Sequence, residues 1–102
     1  MTLIYKVLRS SEWAQAQALR VFTGSPDDLR DGFIHFSTRE QLKETIARHF
    51  RGERELVVLE VDADALGDKL RWEPSRGGAL FPHLYGELPL AAILRQVPVE
   101  EL

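Results

Sequence analysis

The spacing of apolar and polar residues predicts five strands. Residues 3–8, LIYKVL, and residues 33–36, FIHF, are rich in β-forming side chains. Residues 55–61, ELVVLEV, are almost wholly apolar, which is typical of a strand at the centre of a sheet. Residues 69–73, KLRWE, alternate between polar and apolar positions, and residues 95–99, RQVPV, predict a last strand at an edge.

One helix is predicted with particular clarity over residues 38–51. Ser37 and Glu40 form a Ser-x-x-Glu capping box at its start, and Gly52 ends it. An apolar stripe at four-residue spacing follows the box and predicts the face that packs on a sheet, formed by Leu42, Ile46 and Phe50.

Shorter helical segments are predicted in the rest of the chain. Ser10 can cap a helix that runs to about Leu19. Residues 25–32, SPDDLRDG, combine a serine cap, proline at the first helical position and a terminal glycine, so they predict one helical turn or a tight loop. Residues 74–86 predict a long loop, and residues 88–94 predict a short helix begun by a proline.

These elements alternate without repeats, linkers or low-complexity tracts, which predicts the α+β class. A length of 102 residues predicts one domain with a modest core. We expect both tryptophans, Trp13 and Trp72, to lie in that core rather than to serve as stacking platforms.

Composition narrows the classes of function. The chain has no cysteine, which excludes disulfides and thiolate chemistry and fits a reducing cytoplasm. Residues 1–13 contain neither a long apolar run nor a cleavage pattern, so we expect no signal peptide, and no stretch approaches the ~20 apolar residues of a membrane span. A net charge of −3 with mixed signs makes nucleic acid an unfavoured partner, and the oligomeric state stays open.

The segment GFIHFST, residues 32–38, carries the first candidate chemistry. In an extended strand His35 and Ser37 share one face, opposite Ile34 and Phe36, at the start of the predicted helix. Free N–H groups at a helix start suit a phosphate or carboxylate. The structural alternative is that His35 bonds a backbone carbonyl and Ser37 merely caps the helix.

A second cluster lies in WEPSRGGALFPHLYG, residues 72–86. Glu73 ends a strand, and Arg76 can bind a carboxylate or phosphate with both arms of its guanidinium. His83 and Tyr85 share a face if the segment is extended. The alternative is a glycine-rich loop in which Glu73 and Arg76 pair in solvent. We predict that the two clusters converge on a common pocket.

The three histidines lack the spacing of metal ligands, so no metal site is predicted.

The chain resembles the bacterial domain-of-unknown-function family nine hundred and fifty-two. The resemblance rests on three segments in order, and it extends over essentially the whole chain: IYKV, VFTGSPDDLRDGFIHFST and WEPSRGGALFPHLYGELPLAAI. It implies an ADP-ribosyltransferase-like fold, in which small split antiparallel sheets surround a nucleotide-binding cleft. No established activity comes with it.

A more distant resemblance is to NAD-dependent tRNA phosphotransferases, through LIYK and FIHFS. It implies that Lys6 stands where those enzymes carry a cofactor-binding histidine or arginine, although lysine cannot act as a fork. His35 and Ser37 would lie beside the nicotinamide ribose, and Glu73 would stabilise an oxocarbenium-like transition state. NAD is the cofactor implied.

Two functions therefore stay open. One is a nucleotide-binding protein for NAD or ADP-ribose, either an ADP-ribosyl transferase or a degenerate relative. The other is a non-catalytic module that binds a small anion or a protein partner; a purely structural domain ranks below both. The candidate catalytic residues are Glu73 and His35. The candidate cofactor-binding residues are Lys6, Ser37, Thr38, Ser75, Arg76, Gly77, Gly78, His83 and Tyr85.

Overall fold

The computed structural model describes all 102 residues. Its helices and strands follow the order β1 (Leu3–Arg9), α1 (Ser10–Leu19), β2 (Val21–Phe22), α2 (Pro26–Asp31), β3 (Ile34–His35), α3 (Leu42–His49), β4 (Leu56–Asp62), β5 (Leu70–Pro74), β6 (Leu80–Leu84), β7 (Leu88–Pro89) and β8 (Ile93–Val97). Short 3-10 turns occupy Ala63–Lys69, Arg76–Gly78, Leu90–Ala92 and Val99–Glu101. The predicted α+β class is confirmed.

All strand pairs are antiparallel, and they form three small sheets. The β4 sheet has the order β1-β4-β8, the β6 sheet has the order β3-β6-β5, and β2 pairs with β7. A bridge between Tyr5 and Ser37 joins an edge of the β4 sheet to the end of β3, with N–O distances of 2.8 and 2.9 Å. The two larger sheets therefore meet at β1 and β3, where the cleft described below opens.

Alternation along β1 divides the core into two parts. Ile4 and Leu8 face the larger apolar cluster, which α1 and the β6 sheet also enter, whereas Tyr5 and Val7 face a smaller one. Helix α3 closes the smaller cluster with buried Leu42 and half-buried Ile46 and Phe50, so the predicted apolar stripe does pack on a sheet. None of the helices is both long and apolar enough to cross a membrane.

Several local predictions are confirmed. The strand at residues 56–62 is central, and the last strand lies at an edge. Ser25 and Asp28 form a reciprocal capping box on α2, which ends at Gly32 with a φ of 87°. Each of these features depends on residues close together in the chain.

The predicted start of α3 is wrong. Residues 39–41 form turns, and the helix begins at Leu42. Ser37 is held by its bridge to Tyr5, so the capping box forms one residue later, where the backbone N–H groups of Thr38 and Gln41 each donate to the other's side chain. The hydroxyl of Ser37 instead bonds the hydroxyl of Thr45, at 2.8 Å.

The predicted loop at residues 74–86 is also wrong, because it contains β6, the central strand of its sheet. The glycines and prolines of this segment are typical of loops, so the sequence did not predict the strand. Gly77 and Gly78 have φ values of 63° and 81°, so they serve the tight β5–β6 turn. Pro82 lies within the strand and accepts a hydrogen bond from the backbone of Phe36.

Two further predictions fail. Residues 88–94 form β7, a 3-10 turn and the start of β8 rather than a helix. Trp72 is 41% exposed rather than buried, because it lies on the solvent side of β5, whereas Trp13 packs half-buried against the larger cluster.

Candidate functional site

A cleft of about 140 Å³ opens where β1, α2, α3 and the β5–β6 hairpin meet. It is lined by 19 residues, of which five are hydrophobic. Among the residues singled out from the sequence, those that line it are Lys6, His35, Ser37, Ser75, Arg76 and His83. The two clusters thus meet around one pocket. Those outside its lining are Thr38, Glu73, Gly77, Gly78 and Tyr85.

Asp28 is the most heavily bonded side chain of the cleft. It is buried at the first turn of α2, where its position in the capping box brings it within 2.8 Å of the backbone N–H of Ser25. Lys6 donates to both of its oxygens, at 3.1 and 2.9 Å. His35 donates twice more, from its backbone N–H at 3.1 Å and from Nδ1 at 2.7 Å.

These bonds keep Asp28 ionised. Burial alone raises the pKa of a carboxyl group, but the hydrogen bonds from His35 and Lys6 outweigh it and lower the pKa of Asp28 to about 2. The third N–H of Lys6 donates to the carbonyl of His35, at 3.0 Å. All three N–H groups of Lys6 are therefore used within the protein, and its cofactor-binding role stays a prediction of the resemblance.

The ring of His35 lies between two carboxylates. Its Nδ1 bonds Asp28, and its Nε2 lies 3.0 Å from Asp31 at the end of α2. A carboxylate can only accept, so a ring that carries both protons donates from Nδ1 to Asp28 and directs its second N–H toward the charge of Asp31. The structural alternative for His35, a side-chain bond to a backbone carbonyl, is not what the geometry shows.

Glu73 does not line the cleft, but it bonds His83, which does. It ends β5, and its Oε1 accepts from Nδ1 of His83 and from the hydroxyl of Tyr85, both at 2.7 Å. The bond from His83, followed by that from Tyr85, lowers the pKa of Glu73. Glu73 can therefore act on the cleft through His83, which is buried and lines it, rather than by direct contact with a ligand there.

The two histidines are direct partners on β3 and β6. Their ring centroids lie 5.6 Å apart in an edge-on arrangement, and the Phe33 ring stacks on His83 at 4.1 Å and tilts against His35 at 4.5 Å. No hydrogen bond uses Nε2 of His83, and no buried side-chain polar atom lacks a partner, so this nitrogen reaches solvent.

Arg76 supplies a fixed cation on the opposite wall. Its guanidinium lies 4.7 Å from the centre of the Phe81 ring and donates to Glu44 at 3.1 Å and to Thr45 at 2.9 Å. Thr45 in turn bonds Ser37, so the start of α3 and the hairpin turn are joined. The alternative of a solvent pair between Arg76 and Glu73 is not realised, because Arg76 pairs with Glu44.

Sequence reasoning assigned no site role to Asp28, Asp31 or Thr45. The position of Asp28 in the capping box indicated only helix initiation. Its bond to Lys6 spans 22 residues and depends on the packing of α2 against β1, which no local pattern reveals. No group of three or more His, Asp or Glu side chains among the 102 residues is arranged to hold a metal ion.

Comparison with known proteins places the chain in a family. Two solved structures of the protein CC0527 from Caulobacter crescentus are similar: an X-ray structure with 53% identity and a TM-score of 0.91, and a solution NMR structure with 54% identity and a TM-score of 0.83. The alignments cover 94% and 95% of this chain and 84% of CC0527. No curated protein matches. The family described as "Protein of unknown function (DUF952)" matches residues 7–96, and the chain belongs to that family.

Proposed function

We propose that the cleft binds a small phosphate-bearing nucleotide of the NAD or ADP-ribose class. The observation that carries the proposal is the guanidinium of Arg76, which is fixed by Phe81 and Thr45 where it lines the cleft. A preorganised arginine suits a phosphate because its fork matches two oxygens and little side-chain freedom is lost on binding. The choice of nucleotide follows the sequence resemblance to the ADP-ribosyltransferase fold.

The lining of the cleft is less acidic than the chain as a whole. The net charge of the chain is −3, yet the cleft lining holds four lysine and arginine side chains against three aspartates. Lys6 and Asp28 neutralise each other, and Arg9 and Arg30 lie toward the rim, where each pairs with a carboxylate. Arg76 pairs with Glu44, whose side chain is 60% exposed and outside the lining, so a phosphate in the cleft can compete for the guanidinium. A phosphate that enters beside Arg76 also meets the hydroxyls of Ser75 and Thr45.

The volume limits which part of a nucleotide can enter. Cofactor sites usually enclose ~300–1,000 Å³, so a cleft of about 140 Å³ holds one phosphoribose-sized part, with the remainder of the ligand across the open rim. The resemblance assigned Glu73 to an ADP-ribosyl transition state, but Glu73 does not line the cleft. The proposal is therefore for nucleotide binding first. A role in ADP-ribosyl transfer needs a carboxylate that reaches the ribose.

An NMR titration with ADP-ribose and with NAD tests the proposal. We expect amide shifts confined to residues 33–38 and 73–86. Arg76→Ala should weaken binding at least ~10-fold, and Arg76→Lys should weaken it less, because lysine keeps the charge and loses the fork. Arg54→Ala, which removes an exposed arginine outside the cleft, is the matched control and should bind like the unmodified protein.

Salt provides a second measure of the same contact. Binding through Arg76 should weaken as ionic strength rises, because the guanidinium lies partly in solvent. The absence of shifts in both segments at saturating nucleotide would contradict the proposal. In that case the module for small anions or protein partners becomes the better hypothesis.

A further inference from the structure

Two histidines that face one cleft, each bonded through Nδ1 to its own carboxylate, form an arrangement that nucleotide binding alone does not require. We propose that His35 and His83 are a general acid and a general base for cleavage of a phosphate ester bound in the cleft. This inference rests on the proposed function, since Arg76 must hold the phosphate. It goes beyond it by naming a reaction class.

The hydrogen bonds assign the two roles. Glu73 is an acceptor, so His83 carries its proton on Nδ1, and its solvent-reaching Nε2 offers a lone pair when the ring is neutral. His35 bonds Asp28 through Nδ1, and its Nε2 lies 3.0 Å from Asp31, so a carboxylate faces each ring nitrogen, which suits a ring that carries both protons. His83 is therefore the base and His35 the acid. When substrate binds, its leaving oxygen replaces Asp31 beside Nε2 of His35.

The step balances with water as the nucleophile. Nε2 of His83 takes a proton from water, and the water oxygen bonds to phosphorus. The ester P–O bond breaks, its electron pair goes to the leaving oxygen, and Nε2 of His35 supplies the proton that this oxygen needs. The products are an alcohol and a phosphate with one ester bond fewer. Proton exchange with solvent then returns both rings to their starting states.

The pair favours ester cleavage over release of nicotinamide. Nicotinamide leaves from NAD as a neutral ring and needs no proton, so a general acid contributes nothing to that bond. An alkoxide leaving from phosphorus is a strong base and does need one. Asp28 and Glu73 are positioning residues here, because each acts on the substrate only through the ring that it orients.

The test measures turnover and binding separately on the full chain. Adenosine 2′,3′-cyclic phosphate, a dinucleoside phosphate and ADP-ribose are incubated with the protein and followed by ³¹P NMR, while calorimetry measures ADP-ribose affinity. We expect turnover of at least one of these compounds. His35→Gln and His83→Gln should each lower kcat ~100-fold or more and change ADP-ribose affinity only a few-fold. A thermal melt of each variant checks that it is folded.

Positioning is tested with Glu73→Gln against Glu87→Gln, an exposed glutamate outside the cleft. Glu73→Gln should lower kcat, leave KM near its starting value and displace the acidic arm of the pH profile, which reports the general base His83, and Glu87→Gln should do none of these. Binding of ADP-ribose without turnover of any compound would overturn this inference alone, as would turnover that survives both histidine substitutions. Loss of binding as well would overturn the proposed function with it.

Discussion

The two carboxylate–histidine pairs of the cleft have opposite burial. In the Asp28–His35 pair the carboxylate is 2% exposed and the ring 37% exposed, whereas in the Glu73–His83 pair the carboxylate is 33% exposed and the ring 7% exposed. A buried charge must be fully bonded, and Asp28 accepts five hydrogen bonds, including those of buried Lys6. An exposed carboxylate such as Glu73 keeps its hydration.

The contrast separates stability from chemistry. Asp28 bonds Lys6 of β1 and His35 of β3 from α2, so its removal destabilises the fold in addition to releasing the His35 ring. The charge of Glu73 orients a ring that packing against Phe33 already holds, so its removal acts on the ring and on the cleft. Variants at Asp28 should therefore change stability much more than variants at Glu73 do. The following measurements test this difference.

Asp28→Asn should give the largest effect. The amide keeps the size of the side chain but leaves Lys6 buried without a counter-charge, which costs ~3–5 kcal/mol of unfolding free energy. Urea denaturation at pH 7 measures the loss. Asp27→Asn, at an exposed neighbour, is the control and should stay close to the unmodified protein. Glu73→Gln should also stay close to it, and a loss below ~1 kcal/mol for Asp28→Asn would remove the distinction.

The dependence of stability on acid pH should also differ between Asp28 and Glu73 variants. The pKa of Asp28 is lowered from 3.8 to about 2 in the folded protein, so the unfolded chain binds the proton first as the pH falls. The contribution of Asp28 is complete above about pH 5 and is lost progressively as the pH falls toward 2, which amounts to roughly 2 kcal/mol. Denaturation curves across this range should lose that component in Asp28→Asn and retain it in Glu73→Gln.

The sequence predicted features whose causes are local. The box of Ser25 and Asp28, the exit at Gly32 and the central apolar strand each follow from neighbouring residues. The same local reasoning misplaced the start of α3. Ser37 pairs with Tyr5 in a bridge between two sheets, so it does not cap the helix as the motif predicts. A capping motif alone cannot show such competition.

The candidate site was predictable in its members more than in their roles. His35, Ser37, Arg76 and His83 do line one cleft. Strand pairing brings the two histidines together, and the β5–β6 turn contributes Arg76. The partner of each histidine was not predictable. Asp28 was predicted only to cap a helix. Glu73 was expected to act on a ligand directly, whereas it lies opposite Phe81 and diagonally across from His83, whose ring it bonds.

The smallest expected effect concerns the pKa of Tyr85, for which the bond to Glu73 is the largest cause of change. Its hydroxyl donates to Glu73, and that bond raises the pKa of Tyr85. In Glu73→Gln the acceptor loses its charge, so the pKa of Tyr85 should fall back toward the ordinary value for tyrosine, near 10. NMR titration of the tyrosine Cζ resonances measures this.

Tyr5 is the internal control for the same titration, because burial and then its bond to Glu60 raise its pKa independently of Glu73. Glu73→Gln should move Tyr85 and leave Tyr5 in place, and Asp28→Asn should move neither, since no hydrogen bond joins Asp28 to either tyrosine. A shift of Tyr85 in Asp28→Asn would show that the two carboxylate–histidine pairs are coupled through the His35 and His83 rings. The distinction between a carboxylate for the fold and a carboxylate for the cleft would then be wrong.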